Sequence, residues 1–170
     1  MRTRRARAAD AEPIARLVEF YAASGALLPR SREEILAGIG KFLVLADGER
    51  VAGCLALERY SADLAEIRSV AVDPEWRGRG LGARLLRAGM LEARRRGYAR
   101  VFAVTRSPEF FLRRGFQAIG RHALAEKIER DCAVCPRAKD CSLTGVVTQV
   151  AERRVNFPLA ATNNETRVTA

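Results

Sequence analysis

The chain has 170 residues, 48% of them apolar and 29% charged, with a formal net charge of +10. We expect a single domain with its own hydrophobic core, and no membrane association, because no apolar run approaches the ~18 residues of a membrane span. The excess of arginine favours an anionic small molecule over nucleic acid, because the arginines are scattered through every segment and few aromatic residues accompany them.

The first ten residues are basic but lead into no apolar segment, so we expect no secretory signal and a cytoplasmic location. There the cysteines should be reduced rather than paired in disulfides. The four are Cys54, Cys132, Cys135 and Cys141.

The N-terminal part predicts an extended segment over residues 3–8 and then two helices. Asp10 is expected to cap the first helix, whose apolar residues recur at helical spacing. Ser31, followed three residues later by Glu34, forms a capping-box pattern that begins a short second helix.

The rest of the chain alternates between strand and helix patterns. We expect strands over residues 41–46, 50–57, 64–72, 100–105, 116–120 and 143–150, and helices over 83–96 and 108–114. Asp47-Gly48 predicts a hairpin turn, and Asp73-Pro74 ends the third of these strands. This order predicts an α/β fold (α+β) with a mixed central sheet flanked by helices.

The segment RGRGLG, Arg77–Gly82 (hereafter the glycine loop), lies between a strand and the longest predicted helix. Small residues let consecutive N–H groups point at an anion, and the helix N-terminus adds unpaired donors and a positive dipole end. A pyrophosphate is the natural ligand. A dinucleotide-binding loop is disfavoured, because the next strand ends in Thr105-Arg106 rather than in an acidic residue for the ribose.

The glycine loop resembles the Q/R-x-x-G-x-G/A coenzyme A signature of the GNAT acetyltransferases. SVAVDP (Ser69–Pro74) is similar to the family's pantetheine-binding strand, and FFLRRGF (Phe110–Phe116) to its F-Y-x-x-x-G-F segment. The resemblance covers residues 1–150 as one acetyltransferase domain, and we expect residues 151–170 to form a loosely ordered tail.

The resemblance implies acetyl-CoA as co-substrate, with its pantetheine arm between two parallel strands that splay apart, 64–72 and 100–105. Phe111 occupies the position at which many members carry a tyrosine that protonates the leaving thiolate, so that acid is missing here. The implied coenzyme contacts are Val70, Ala71, Val72, Arg77, Gly78, Arg79, Gly80, Leu81, Gly82, Ala83 and Phe111.

Other segments, LPRSREEI (Leu28–Ile35), PEFF (Pro108–Phe111) and RDCAVCP (Arg130–Pro136), are similar to the short-form N-acetylglutamate synthases. That similarity implies L-glutamate as acetyl acceptor and the first step of arginine biosynthesis as the reaction. Guanidinium groups suit its two carboxylates. The expected acceptor residues are Arg30, Arg68 and Thr105.

Glu66 is our candidate for the base that takes the proton of the attacking amine, directly or through a water molecule. An ion pair between Glu66 and Arg68 is an equally good interpretation, and Glu58 on the preceding strand is the substitute base. We expect a backbone N–H near Val70 to stabilise the oxyanion.

Cys132, Cys135 and Cys141 have the spacing C-x2-C-x5-C, and His122 would complete a set of four zinc ligands. We favour reduced cysteines packed in an irregular segment, and expect no metal requirement.

Three other functions remain open on sequence grounds: acetylation of another amine, a non-catalytic module that binds acetyl-CoA, and a basic nucleic-acid-binding domain. A homodimer is compatible with the sequence. An anionic acceptor is favoured by Arg30 and Arg68, and catalysis by Glu66.

Overall fold

The computed structural model describes residues 1–120, 123–135, 138 and 141–150. Its strands are β1 (Arg2–Arg5), β2 (Phe42–Asp47), β3 (Arg50–Arg59), β4 (Leu64–Val72), β5 (Arg100–Thr105), β6 (Gln117–Ile119) and β7 (Thr144–Gln149). Its α-helices are α1 (Ala11–Ala23), α2 (Arg32–Ala37), α3 (Leu81–Arg95), α4 (Pro108–Leu112) and α5 (Ala125–Lys127), and a π-helical turn over Ile128–Cys132 follows α5. Within the described residues, no helix has the length and apolar character needed to cross a membrane.

The seven strands form one sheet in the order β1-β2-β3-β4-β5-β7-β6. Every pair is antiparallel except β4 and β5, which are parallel. The mixed sheet expected from the sequence is thus confirmed, with β7 inserted between β5 and β6.

Helices cover both faces of the sheet. Helix α3 buries Leu85 and Leu86 against one face, where Leu57 and Ile67 also point. Helix α1 buries Ile14 and neighbouring apolar residues against the other face. Because successive strand residues point to opposite faces, the even-numbered residues of β4 before its bulge project on the α1 side.

The two predicted N-caps had different outcomes. Ser31 caps α2 as expected, since its hydroxyl accepts the Glu34 N–H at 3.1 Å while the Glu34 carboxylate accepts the Ser31 N–H at 2.8 Å. Asp10 is the N-cap residue of α1, as expected, but its side chain makes no capping hydrogen bond to that helix. Its carboxylate instead accepts the Arg7 N–H at 2.7 Å and pairs with Arg4, because a short 3-10 turn precedes α1 and brings those donors closer.

Candidate active site

Strands β4 and β5 separate after a short paired stretch. Their ladder covers only Leu64 to Glu66 of β4, although β4 continues to Val72. Beyond Glu66, the edge of β4 that faces β5 is therefore free of strand pairing. A bulge at Ser69, whose φ of 52° is positive, shifts the register with β3 and bends β4 within this unpaired part. The expected splay is present, and it leaves room for an extended ligand to pair with β4.

The glycine loop turns directly into α3. Gly78 and Gly80 have φ values of 74° and 73°, in the left-handed region that glycine adopts without strain. Gly80 is the N-cap residue of α3 and supplies no side chain, so the first N–H groups of the helix stay available to a ligand. They border a groove of about 180 Å³ lined by Val72, Trp76, Arg77, Gly78, Gly80, Leu81, Gly82, Ala83, Phe110 and Arg114.

Arg77 is held at this groove by α1. Its Nε donates to the Tyr21 hydroxyl at 3.0 Å, and its guanidinium lies 5.0 Å from the centre of the Tyr21 ring. The Tyr21 hydroxyl in turn donates to the Val72 carbonyl oxygen at 2.5 Å. Tyr21 thus joins the glycine loop to the end of β4, a contact that the sequence interpretation did not foresee.

Four predicted coenzyme residues, Val70, Ala71, Arg79 and Phe111, do not line the groove. The guanidinium of Arg79 stacks on Trp76 at 5.0 Å, and Ala71 is buried on the α1 side of the sheet. Phe111 is 5% exposed and packs edge-on against Phe116 within the core. The aromatic residue of α4 that lines the groove is Phe110.

A set of charged side chains occupies the α1-side face of β3 and β4, and we call it the ion cluster. It comprises Lys41, Glu58, Tyr60, Glu66, Arg68, Lys127, Arg130 and Asp131. Its four cations exceed its three carboxylates by one positive charge. Each of the three carboxylates has a cation within 3.0 Å.

Glu66 lies at the centre of the ion cluster and is 2% exposed. Lys127 donates to it at 2.9 Å, the Tyr60 hydroxyl lies 3.0 Å from its Oε2, and the Arg68 guanidinium is 3.6 Å away. Its nearest ion partner is therefore Lys127 rather than Arg68. The structure thus places the candidate base in a network that fixes its carboxylate.

Besides Glu66, Arg68 contacts two further carboxylates. It forms a salt bridge with Glu58 and lies 3.4 Å from Asp131. Burial raises the pKa of Glu58, but Lys41 and Arg68 outweigh it, and the net pKa is lowered. Burial also acts on Asp131, where hydrogen bonds from Lys127 and Tyr60 lower the pKa below its ordinary value.

Arg30 lies in the loop between α1 and α2 and is half-buried. Burial lowers its pKa, and the positive charge of Arg68 lowers it further, while Glu34, Glu58 and Glu66 act in the opposite direction. Within the part of the chain that the structure describes, Arg30 forms no salt bridge. It therefore offers a guanidinium beside the ion cluster with no carboxylate of its own.

Thr105 ends β5, as expected, but its hydroxyl accepts the Ser107 N–H at 3.0 Å. The hydroxyl therefore stabilises the turn after β5, and no contact joins it to the ion cluster in the described residues.

Several members of the ion cluster were not expected from the sequence. Lys127 and Asp131 come from the segment before β7, and Tyr60 from the β3–β4 turn. The hydroxyl of Tyr60 lies 2.5 Å from Asp131, and burial together with the negative charge of Glu66 raises its pKa. These contacts join residues more than sixty positions apart, and no local sequence pattern predicts contacts over such distances.

The cysteines are free thiols. Among the described residues, no group of three His, Cys, Asp or Glu side chains is arranged to hold a metal ion. His122, the fourth ligand considered above, lies outside the described residues.

Comparison with known proteins adds a family model and close relatives. Residues 38–118 match the model described as an acetyltransferase (GNAT) domain. An uncharacterised N-acetyltransferase of Chlorobaculum tepidum is 39% identical over 144 residues, which cover 85% of this chain and 93% of the relative. An amino-acid acetyltransferase of Mycobacterium tuberculosis is 37% identical over 133 residues, which cover 76% of each chain.

A solved structure extends the likeness to the fold. N-acetylglutamate synthase from Neisseria gonorrhoeae, complexed with coenzyme A and N-acetyl-glutamate, matches with a TM-score of 0.81 and 32% identity. The match covers 89% of this chain and 35% of that one, so the chain spans about a third of the gonococcal protein.

Proposed function

The chain belongs to the GNAT family of acetyltransferases, and from this premise we propose that it transfers the acetyl group of acetyl-CoA to the α-amino group of L-glutamate. That it is an acetyl-CoA-dependent N-acetyltransferase follows from the family and from the coenzyme held by its structural neighbours. The identity of the acceptor, L-glutamate, is the part that we propose. Under this proposal the enzyme is cytoplasmic and catalyses the first step of arginine biosynthesis.

The observation that carries the glutamate assignment is the guanidinium of Arg30, which pairs with no carboxylate of the described residues and lies beside an ion cluster that is itself cationic. Counted with Arg30 and with Glu34, whose charge also acts on Arg30, this region keeps a surplus of positive charge. The carboxylates of glutamate supply negative charge that compensates this surplus. A neutral or cationic acceptor would leave Arg30 half-buried without an anion, which is unfavourable.

The relatives support the same acceptor class. The homologue from M. tuberculosis is named an amino-acid acetyltransferase, and the gonococcal synthase was solved with N-acetyl-glutamate, the product proposed here. The name of the M. tuberculosis homologue does not select glutamate over glutamine. The name of the gonococcal synthase does, but this chain covers only 35% of that protein, so the assignment also depends on the charges of this chain.

The proposed reaction begins with coenzyme binding. The N–H groups at the start of α3 hold the pyrophosphate, Arg77 adds positive charge, and the pantetheine arm pairs with the free edge of β4. We assign stabilisation of the thioester oxyanion to a backbone N–H near Val70, next to the bulge at Ser69.

Proton transfer is assigned to Glu66. The amine must lose a proton to attack, and Glu66 is the carboxylate of β4 nearest the point where the strands separate. Residue 111 is a phenylalanine buried in the core, so it supplies no hydroxyl that could protonate the leaving thiolate. The thiolate leaves into a positively charged site or is protonated by water.

Arg30→Ala tests the acceptor assignment. We expect the KM for glutamate to rise roughly tenfold to a hundredfold, because a charge-assisted hydrogen bond contributes ~1.5–3 kcal/mol, while the KM for acetyl-CoA should stay unchanged. Steady-state kinetics with each substrate varied in turn provide the measurement.

Arg32→Ala is the matched control, because Arg32 is only two positions away but exposed, and its partners are Glu12 and Glu33. It should leave both KM values near those of the unmodified enzyme. An unchanged KM for glutamate in Arg30→Ala would remove Arg30 from the acceptor site and with it the main support for glutamate.

A further inference from the structure

Two thiols lie next to the acceptor side of the site. Cys132 ends the π-helical turn after α5, and the Cys135 N–H donates to the Cys132 carbonyl oxygen at 3.2 Å. A turn of this kind keeps its first and fourth Cα atoms within about 7 Å, and disulfides span Cα separations of about 4.4–6.8 Å. Both cysteines are half-buried, and Val134 between them is 81% exposed, so reagents can reach the turn from solvent.

The same short segment supplies part of the ion cluster. Asp131 directly precedes Cys132, and its carboxylate accepts from Lys127 at 2.8 Å and lies 3.4 Å from Arg68. The Ala133 N–H donates to the Ile128 carbonyl oxygen at 3.0 Å and closes the turn that holds Asp131. Any change in the backbone at Cys132 therefore reaches Asp131 directly.

We propose that Cys132 and Cys135 are a modification site at which a reversible disulfide alters the acceptor side of the active site. A low-molecular-weight disulfide such as oxidised glutathione is the oxidant. The thiolate of one cysteine attacks it and releases one thiol, and the second cysteine then displaces the other thiol from the mixed disulfide. The protein loses two hydrogen atoms, that is, two protons and two electrons, and the reagent takes them up and is reduced to two thiols.

The other thiols are less suited to this reaction. Cys54 is fully buried in β3, and burial raises its pKa to about 12, so it is neither accessible nor ionised near neutral pH. Cys141 is not gathered with the pair into any metal-binding group within the described residues. The turn between Cys132 and Cys135 is thus the place where two thiols are already close.

Closing the disulfide fixes the Cβ–S–S–Cβ dihedral near ±90° and draws the two Cβ atoms to about 3.8 Å, which rearranges the end of the π-helical turn. Asp131 then loses its alignment with Lys127 and Arg68, and the ion cluster changes its charge distribution beside Arg30. We expect the KM for glutamate to rise by roughly fivefold or more, the lower end of typical couplings between two sites, with the KM for acetyl-CoA unchanged.

The experiment equilibrates the full chain in reduced and oxidised glutathione, blocks free thiols, and maps the disulfides by mass spectrometry. Cleavage after Arg130 and Arg137 gives one peptide, residues 131–137, that contains both cysteines. In the oxidised sample it should be unblocked and lighter by two hydrogen atoms. Backbone hydrogen exchange over residues 125–135 should also become faster, and this readout needs no substrate.

Two variants test whether the change in the KM for glutamate comes from the disulfide between Cys132 and Cys135. Cys135→Ser should form no internal disulfide, and should recover the reduced KM for glutamate once its mixed disulfide at Cys132 is removed; Cys141→Ser should respond to oxidation like the unmodified chain. The inference is overturned if no disulfide joins Cys132 and Cys135, if both thiols are instead protected by stoichiometric zinc, or if the disulfide forms while hydrogen exchange stays the same.

The kinetic consequence rests on the proposed function, but the two fail separately. If the reduced enzyme does not acetylate glutamate, the proposed function is wrong, while the mapped disulfide and the hydrogen exchange still decide on the modification site. An unchanged KM in a fully oxidised sample whose reduced form does acetylate glutamate would refute the link to the acceptor side.

Discussion

Gly80→Asp should abolish coenzyme binding at micromolar concentrations while the protein stays folded. Gly80 is the N-cap residue of α3 with a φ of 73°, and a Cβ added there would meet nothing within 4 Å. Aspartate tolerates positive φ better than most residues and is a favourable N-cap, so the helix should still form. Its carboxylate, however, takes the N–H groups that the pyrophosphate needs and repels the phosphates.

Two like charges about 4 Å apart at a protein surface repel by roughly 4 kcal/mol before salt screening. We therefore expect the Kd for acetyl-CoA, measured by calorimetry at low salt, to rise by roughly a hundredfold or more. Gly80→Asn is the control of equal size without the charge, and its affinity for acetyl-CoA should fall only about tenfold. A Gly80→Asp variant with unchanged affinity would show that the glycine loop does not bind the coenzyme.

Glu66→Gln is the second change for which we expect a large effect. Removing a general base from the transition state should lower kcat by roughly a hundredfold to ten-thousandfold and leave the affinity for acetyl-CoA intact. The fall in rate at acidic pH, which a general base causes when it becomes protonated, should also disappear from the pH–rate profile. Single-turnover kinetics across the pH range, together with calorimetry for coenzyme affinity, measure both.

Glu58→Gln is the matched comparison, because Glu58 lies directly opposite Glu66 in the β3–β4 ladder and shares Arg68 as a partner. If Glu66 is the base, Glu66→Gln should lower kcat strongly and Glu58→Gln should not. The reverse ranking would transfer the role to Glu58. Equal, small losses of kcat in both variants would indicate that Glu66 has only a structural role in the ion cluster.

Much of the coenzyme site was predictable because its determinants are local. The glycine loop needs only small residues between a strand and a helix, and the predicted bounds of β4 and β5 agree with the structure. Helix α3 begins two residues earlier than expected, at Leu81, because the left-handed Gly80 already ends the loop. The GNAT resemblance, the fold and the coenzyme are confirmed.

The acceptor side was less predictable because it is assembled over long distances. The sequence predicts no helix or strand for residues 122–141. In the described part of this segment, α5 is only three residues long and continues as a π-helical turn. Lys127 and Asp131 enter the ion cluster from there. Their partners Tyr60 and Glu66 precede them by more than sixty residues.

Neighbouring aromatic residues posed a different problem. Phe110 and Phe111 are adjacent on α4, and motif alignment placed Phe111 at the coenzyme. In the structure Phe110 lines the groove, and Phe111 packs into the core. A helix of one turn does not present enough apolar residues for the sequence to show which of the two faces inward.

Acetyl-CoA-dependent thiol release with L-glutamate and L-glutamine as competing acceptors tests the central claim most directly. The two amino acids have almost the same shape and differ by one negative charge, so the ratio of their kcat/KM values reports whether the site recognises a second carboxylate. We predict a preference for glutamate of roughly tenfold or more, which Arg30→Ala reduces. Equal or faster acetylation of glutamine, or release with a cationic amine but none with glutamate, would contradict the account.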